Sequence, residues 1–254
     1  MKNENTKTGL IGFFDILGYQ NILERNEPET IAEEVIPILT NIAGETLKDL
    51  ENIIITTDAD KQLHNKIIEK MGWLVFSDTV LITLPIDGKD QAIVKMSWLT
   101  FLFAAIIVQF NLFNAGLPTR GVIEYGKFFI KDTCFAGRTI IDAYQLCSQL
   151  ELSACVFSEI AAKEFFKIKL PSSLCNVLAV EYLIPMKSGE KHLLTLMAHT
   201  YNHKSPSPDI HGDVMRAFWK NAKDISIGAR QKAHNTEQWL EFVEYRRKLV
   251  REKS

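Results

Sequence analysis

The sequence holds few cysteines, four in 254 residues, and no C-x-x-C pair among Cys134, Cys147, Cys155 and Cys175. Each lies in or beside an apolar run, which reads as buried thiols in a reducing compartment, not as a zinc site or a disulfide framework. Neither sign of charge is in excess: 29 basic residues against 31 acidic give a formal net charge of -2. Nothing in that balance calls for duplex DNA, which favours a basic face, so no nucleic-acid partner is expected. The polar stretch Met1 to Thr8 lacks the apolar core of a secretion signal, and a cytoplasmic location is expected. The patterns G-x-x-x-x-G-K-[ST], G-x-S-x-G and H-E-x-x-H are missing, which argues against P-loop, serine-hydrolase and zincin chemistry. The six histidines are scattered. His199, His203 and His211 have a metal-like spacing, but Asn202 and nearby prolines break the stretch, and no metal role is expected there.

One long apolar run calls for a membrane check, Met96 to Phe113. Apolar nearly all round, it is either a bilayer span or a fully buried core helix. Ser97, Thr100, Gln109 and Asn111 interrupt it, and Pro118 and a strand-like run follow at once. These features favour the core helix, so no membrane span is expected.

With 46% hydrophobic and 24% charged residues the chain has ample material for a core. Leu10 to Leu17 reads as a buried strand ended by Gly18, and Glu29 to Leu50 as an amphipathic helix. Asp58 to Asn65 is polar and reads as a loop. Two apolar runs around Trp73 to Phe76 and Val80 to Ile82 flank Ser77 and Asp78, which predicts a tight hairpin. After the buried helix come strands over Thr119 to Tyr125 and Phe128 to Phe135, then a helix from Gly137 to Glu151. A short strand, Ala154 to Phe157, precedes a Ser158-capped helix, and a hairpin turns at Lys187 to Glu190. Beyond the Ser205 to Pro208 breaker the chain reads as helical and charged. The order β-α-β-β-α-β-β-α-β, followed by further elements, with hairpins, predicts an α+β fold with a mixed sheet. The divisions expected are residues 1–170 as core, 171–204 as a hairpin extension and 205–254 as a helical tail.

Two acids stand out. Asp15 sits between Phe14 and Ile16 in an apolar strand, and Asp78 sits at a hairpin tip. A buried carboxylate costs several kcal/mol, to order of magnitude, unless it is paired or bound to a cation. One reading is that each acid caps a turn or pairs with an arginine. The other is that they share a cation. Gly18 and a following helix start supply backbone amides suited to phosphate oxygens, and carboxylates beside such amides suit magnesium or manganese bound with a triphosphate.

Four motifs in order then carry a resemblance. They are Phe13-Phe14-Asp15-Ile16-Leu17-Gly18-Tyr19, Phe76-Ser77-Asp78-Thr79, the strand Arg120 to Gly126, and the helix start Gly137 to Leu146. Together they resemble the class III nucleotidyl cyclase domain over roughly the first two thirds of the chain. Within it, the chain looks most like the pyrimidine cyclases of bacterial Pycsar anti-phage systems. The resemblance implies a ferredoxin-like core, a head-to-tail homodimer with sites at the interface, and two Mn2+ or Mg2+ ions held by Asp15, Asp78 and the Ile16 carbonyl. It implies a nucleoside triphosphate substrate, with Leu17, Gly18 and Tyr19 around its phosphates. The product would be a 3′,5′-cyclic monophosphate, read by a separate cyclic-nucleotide-binding effector.

Several positions depart from the purine cyclases. Ile141 and Gln145 stand where an Asn and an Arg stabilise the transition state, and neither replaces a guanidinium. Leu74 and Cys134 stand where adenylate cyclases carry a base-reading Lys and Asp. An adenine reader is therefore not expected, although Cys134 matches the guanylate pattern. A pyrimidine, UTP before CTP, held by aromatic packing against Trp73 or Tyr19, is the expected substrate. Trp73 equally suits plain hairpin packing. Arg138 and Lys127 are either solvated surface or substitutes for the missing positive charge. The alternatives are a purine cyclase and a cyclase-like module that binds nucleotide without turnover. Arg246-Arg247-Lys248 ends an amphipathic terminal helix and reads as its solvated face.

Overall fold

A computed structural model describes residues 6–53, 57–86, 88, 90–131, 134–197, 209–222 and 226–252. In chain order the elements are β1 (Thr6–Ile16), α1 (Tyr19–Arg25), α2 (Pro28–Thr30), a π-helical turn (Ile31–Val35), α3 (Ile36–Glu51) and α4 (Asp58–Ile68). Next come β2 (Gly72–Phe76), β3 (Thr79–Pro85), α5 (Gln91–Asn114), β4 (Thr119–Lys131), β5 (Cys134–Ala136), α6 (Arg138–Gln149) and β6 (Cys155–Phe157). The last are α7 (Glu159–Lys167), α8 (Ser172–Leu178), β7 (Ala179–Met186), β8 (Gly189–Leu196), α9 (Ile210–Trp219) and α10 (Ile227–Arg251).

The strands form one sheet in the order β2-β3-β1-β4-β6-β8-β7, with β5 paired to β4. Each adjacent pair among its first four strands is antiparallel, which is the ferredoxin-like arrangement expected. β4 and β6 run parallel, and β6 pairs with β8, so the sheet is mixed and the β7–β8 hairpin continues it. Alternation along β1 feeds two cores. Leu10, Phe14 and Ile16 join the cluster under α3, α4, α5 and α7, while Ile11 and Phe13 join the one under α6, α9 and α10.

Helix α5 is long and apolar enough to cross a bilayer by length and composition. It lies against the sheet instead, with Trp98, Phe101, Ala104, Ala105, Ile107, Val108 and Leu112 at most 1% exposed. Its low amphipathicity follows from this: α3 and α4 cover one side and the sheet the other.

Three expectations change. Residues 58–65, read as a loop, form most of α4, whose Thr57 cap accepts a hydrogen bond from the Asp60 amide. The apolar residues that turn this polar segment into a helix lie at its far end, Ile67 and Ile68, together with His64, which is buried against Leu50 and Thr100. The two strands expected around Gly126 are one 13-residue strand. Gly126 does not break it; it makes room, since a Cβ there would lie 2.7 Å from Thr139 Oγ1. The helix read from Glu29 carries a π turn, with Ile36 N–H bonded to the Ile31 carbonyl, one residue before Pro37, which has no N–H to give.

Candidate functional site

Asp15 is the penultimate residue of β1, an interior strand of the sheet. Its register partners are Thr79 on β3 and Arg120 on β4. It shares a sheet face with Phe13, which packs edge-on against Tyr144 of α6. The Asp15 side chain is 17% exposed and accepts a hydrogen bond on Oδ2 from Arg120 Nε at 2.7 Å. Arg120 also donates through Nη1 to the carbonyls of Ser148 (3.0 Å) and Leu150 (3.4 Å), at the C-terminal end of α6. One of the two readings of Asp15, pairing with an arginine, therefore holds. It does not exclude the other, because Oδ1 is not part of that pair.

Asp78 lies in the two-residue tip between β2 and β3. Ser77 adopts φ 53°, the left-handed geometry of a tight hairpin turn. The Asp78 carbonyl accepts the Ile16 amide at 3.0 Å, which seats the tip on the end of β1. The charges register this closeness. Burial pushes the Asp15 carboxyl above its ordinary range, Arg120 opposes that, and Asp78 pushes it further up. Burial likewise raises the Tyr19 phenol, and Asp78 adds to the rise. Asp78 is thus within electrostatic reach of both, and the two acids sit at one end of the sheet.

Among the described residues no group of three or more His, Cys, Asp or Glu forms. The available donor set is two carboxylates and backbone oxygen. It fits a hard cation of the magnesium or manganese type, which is commonly held by one or two carboxylates with substrate phosphates completing the shell.

The loop between β1 and α1 is arranged by Gly18 at φ 75°. The Leu17 amide is spent on the Pro118 carbonyl at 2.8 Å, so it is not available to a phosphate. Gly18 and Tyr19 carry the remaining amides of that turn. The Tyr19 side chain is 6% exposed and belongs to the α5-side core.

The other expected residues divide by face. Leu74 packs on the Asp15 side of the sheet, whereas Trp73 packs on the opposite side, into the cluster under α5. Plain hairpin packing is therefore the reading of Trp73 that the structure supports. Gln145 and Ile141 are both exposed on α6, away from its buried stripe of Thr139, Ala143 and Cys147. Cys134 is exposed on β5 opposite Lys131, at the far end of β4 from Arg120. At about 3.3 Å per residue that separation is on the order of 30 Å, so one chain cannot bring Cys134 to Asp15.

Arg138 pairs with Asp142 at 2.8 Å and is 82% exposed, and the exposed Lys127 offers its carbonyl to the Thr139 hydroxyl. Neither brings charge to Asp15. Two residues not singled out for that role do. One is Arg120, whose signal was a lone arginine opening an apolar strand. The other is Lys187, at the β7–β8 tip, whose charge lowers the Asp15 carboxyl and whose amide bonds the Gln149 carbonyl at 2.9 Å. A lysine in a hairpin tip is ordinary, and no local pattern marked it. Of the histidines, His199 and His203 lie outside the described residues, and His211 contacts Glu237 at 2.9 Å.

No protein-family model matches the chain, and no curated protein matches it. Among solved structures it is similar to the guanylyl cyclase Cya2, at 12% identity over 75% of this chain and 91% of that one, with a TM-score of 0.43. It is also similar to the guanylyl cyclase domain of the RhoGC fusion protein from the aquatic fungus Blastocladiella emersonii, at 13% identity over 73% and 98%, TM-score 0.45. A third is a Class III adenylyl cyclase-like ATP-binding protein from Pseudomonas aeruginosa, at 14% identity over 74% and 38%, TM-score 0.39.

Proposed function

We propose that the chain is a metal-dependent nucleotide cyclase acting on a pyrimidine nucleoside triphosphate, UTP in first place and CTP next. The observation that carries this is the meeting of Asp15 and Asp78 at one sheet end, with the hairpin tip bonded to the backbone of Ile16. Asp15, Asp78 and the Ile16 carbonyl would hold two Mn2+ or Mg2+ ions. Bound there, the ions supply a lowered pKa at the ribose 3′-hydroxyl and charge stabilisation for departing pyrophosphate. The chain's own part is positional. Asp15 and Asp78 present oxygen from a strand and a tight turn, which leaves little freedom to lose on binding. Gly18 and Tyr19 would offer backbone amides to the phosphates. Lys187 adds positive charge on the Asp15 side, which Ile141 and Gln145 do not.

A homodimer belongs to the same proposal. Phe76, Ile141 and Tyr144 are 74%, 52% and 55% exposed; Phe76 lies on the Leu74 face of β2, and Tyr144 touches Phe13. An apolar set of this kind beside the acids suits a second copy, which could also carry its Cys134 and Gln145 towards Asp15. In the cell the enzyme would be cytoplasmic, its cyclic product read by a separate effector in anti-phage defence.

The test is incubation with each of UTP, CTP, ATP and GTP and Mn2+, with products separated by mass spectrometry. Cyclic UMP or CMP is expected. Cyclic AMP or GMP alone would overturn the pyrimidine assignment. Ile141 and Gln145 favour a second reading, a nucleotide-binding module without turnover, which wins if nucleotide binds and no product forms.

A further inference from the structure

We propose that Arg120 is a resident counter-ion of Asp15 that competes with divalent cations, so that binding of two cations requires the Arg120–Asp15 pair to open. The inference rests on the reading of Asp15 and Asp78 as cation ligands. The guanidinium is built into its place. It projects from β4 directly opposite Asp15, and its three contacts are the Asp15 carboxylate and two carbonyls that end α6. The Cys147 thiol, 3.4 Å from the Arg120 carbonyl, secures the backbone beneath it. The Arg120 and Asp15 side chains are only 16% and 17% exposed, so salt screens the pair weakly. Hydrogen bonds between ionised partners are roughly twice as strong as neutral ones.

One dication on Oδ1 leaves the pair intact, but two ions bridged by the Asp15 carboxylate, one on each oxygen, need the oxygen that Arg120 holds, Oδ2. A fixed positive charge beside the carboxylate also repels an arriving one. The α6 carbonyls give the guanidinium a place to stay when Asp15 lets go, so opening the pair does not strand a buried cation.

The test counts free Mn2+ by electron paramagnetic resonance at pH 8 without nucleotide, on the full chain. Arg120→Gln is expected to bind Mn2+ roughly tenfold more tightly than the unmodified protein, the scale of one charge-assisted hydrogen bond. Adding Asp15→Asn to it is expected to remove that gain. Equal or weaker binding by Arg120→Gln, with Asp15→Asn still weakening the unmodified protein, overturns the competition and leaves the cation site standing. Mn2+ binding that ignores Asp15→Asn in every background overturns both. A second measurement needs no destabilised variant. In the unmodified protein, Mg2+ is titrated while the arginine Nε–H resonances are followed by NMR, with Arg120 identified by the signal missing from Arg120→Lys. A shift of that signal that saturates with Mg2+ binding is expected, and a signal unmoved while Mg2+ binds overturns the proposal.

Discussion

A few side chains decide most of the chemistry, and each makes a separate prediction. Asp15→Asn or Asp78→Asn keeps the shape of the acid and removes its charge. Either change is expected to lower cyclase turnover by about 100-fold or more while the thermal unfolding midpoint stays near that of the unmodified protein. A loss of fold instead would mean that the acids are structural. Glu124 is a different kind of buried acid. It is 4% exposed, accepts from the Ser158 hydroxyl and the Tyr125 amide, and burial raises its carboxyl above the ordinary 4.5. A raised acid binds more protons folded than unfolded, so it costs stability as pH rises from its unfolded value through its folded one. Glu124→Gln keeps both acceptor contacts. Its stability is expected to fall less than that of the unmodified protein as pH is raised from 4.5, measured by thermal melts across pH. Identical slopes would contradict this role.

The elements that position the acids were legible for specific physical reasons. A strand with Phe14 and Ile16 around an acid, and an acid between two apolar runs, are patterns that period and turn chemistry expose. The partners of those acids were not. Arg120 is 105 residues from Asp15, and only strand register joins them. The face of Trp73 was equally hidden, because a half-buried hairpin offers apolar neighbours on both sides. Helix α4 escaped because its buried residues cluster at one end. At this scale close packing makes its own prediction. A Cβ on Gly121 would lie 2.6 Å from a Phe14 ring carbon and 3.3 Å from Cys155 Sγ. Gly121→Ala is expected to cost about 1–3 kcal/mol in a denaturant titration, with β1 and β4 forced apart. A change within error would show that Phe14 can move freely. Likewise Ser158 caps α7 and partners Glu124, so Ser158→Ala is expected to cost about 1–2 kcal/mol.

Seen whole, the molecule is one sheet with a hairpin extension and two helical layers, and its candidate site lies at the sheet's end. The resemblance supplied the ferredoxin-like core and a shared-cation role for two acids that their apolar flanks had already marked. It did not supply the cation beside Asp15, nor where Lys187 would fall. Under the proposed function, the wide separation of Cys134 from Asp15 in one chain calls for a second copy if both are to meet one substrate. Phe76→Glu is therefore expected to leave a folded monomer where the unmodified protein sediments as a dimer, and a sedimenting monomer in both would contradict the paired arrangement. The most direct measurement of all is the anomalous scattering of Mn2+ in crystals soaked with a non-hydrolysable pyrimidine triphosphate. Manganese is expected between Asp15 and Asp78, within bonding distance of both carboxylates and of the phosphates. Manganese bound elsewhere, or either acid turned away from it, would contradict the shared cation on which the function depends.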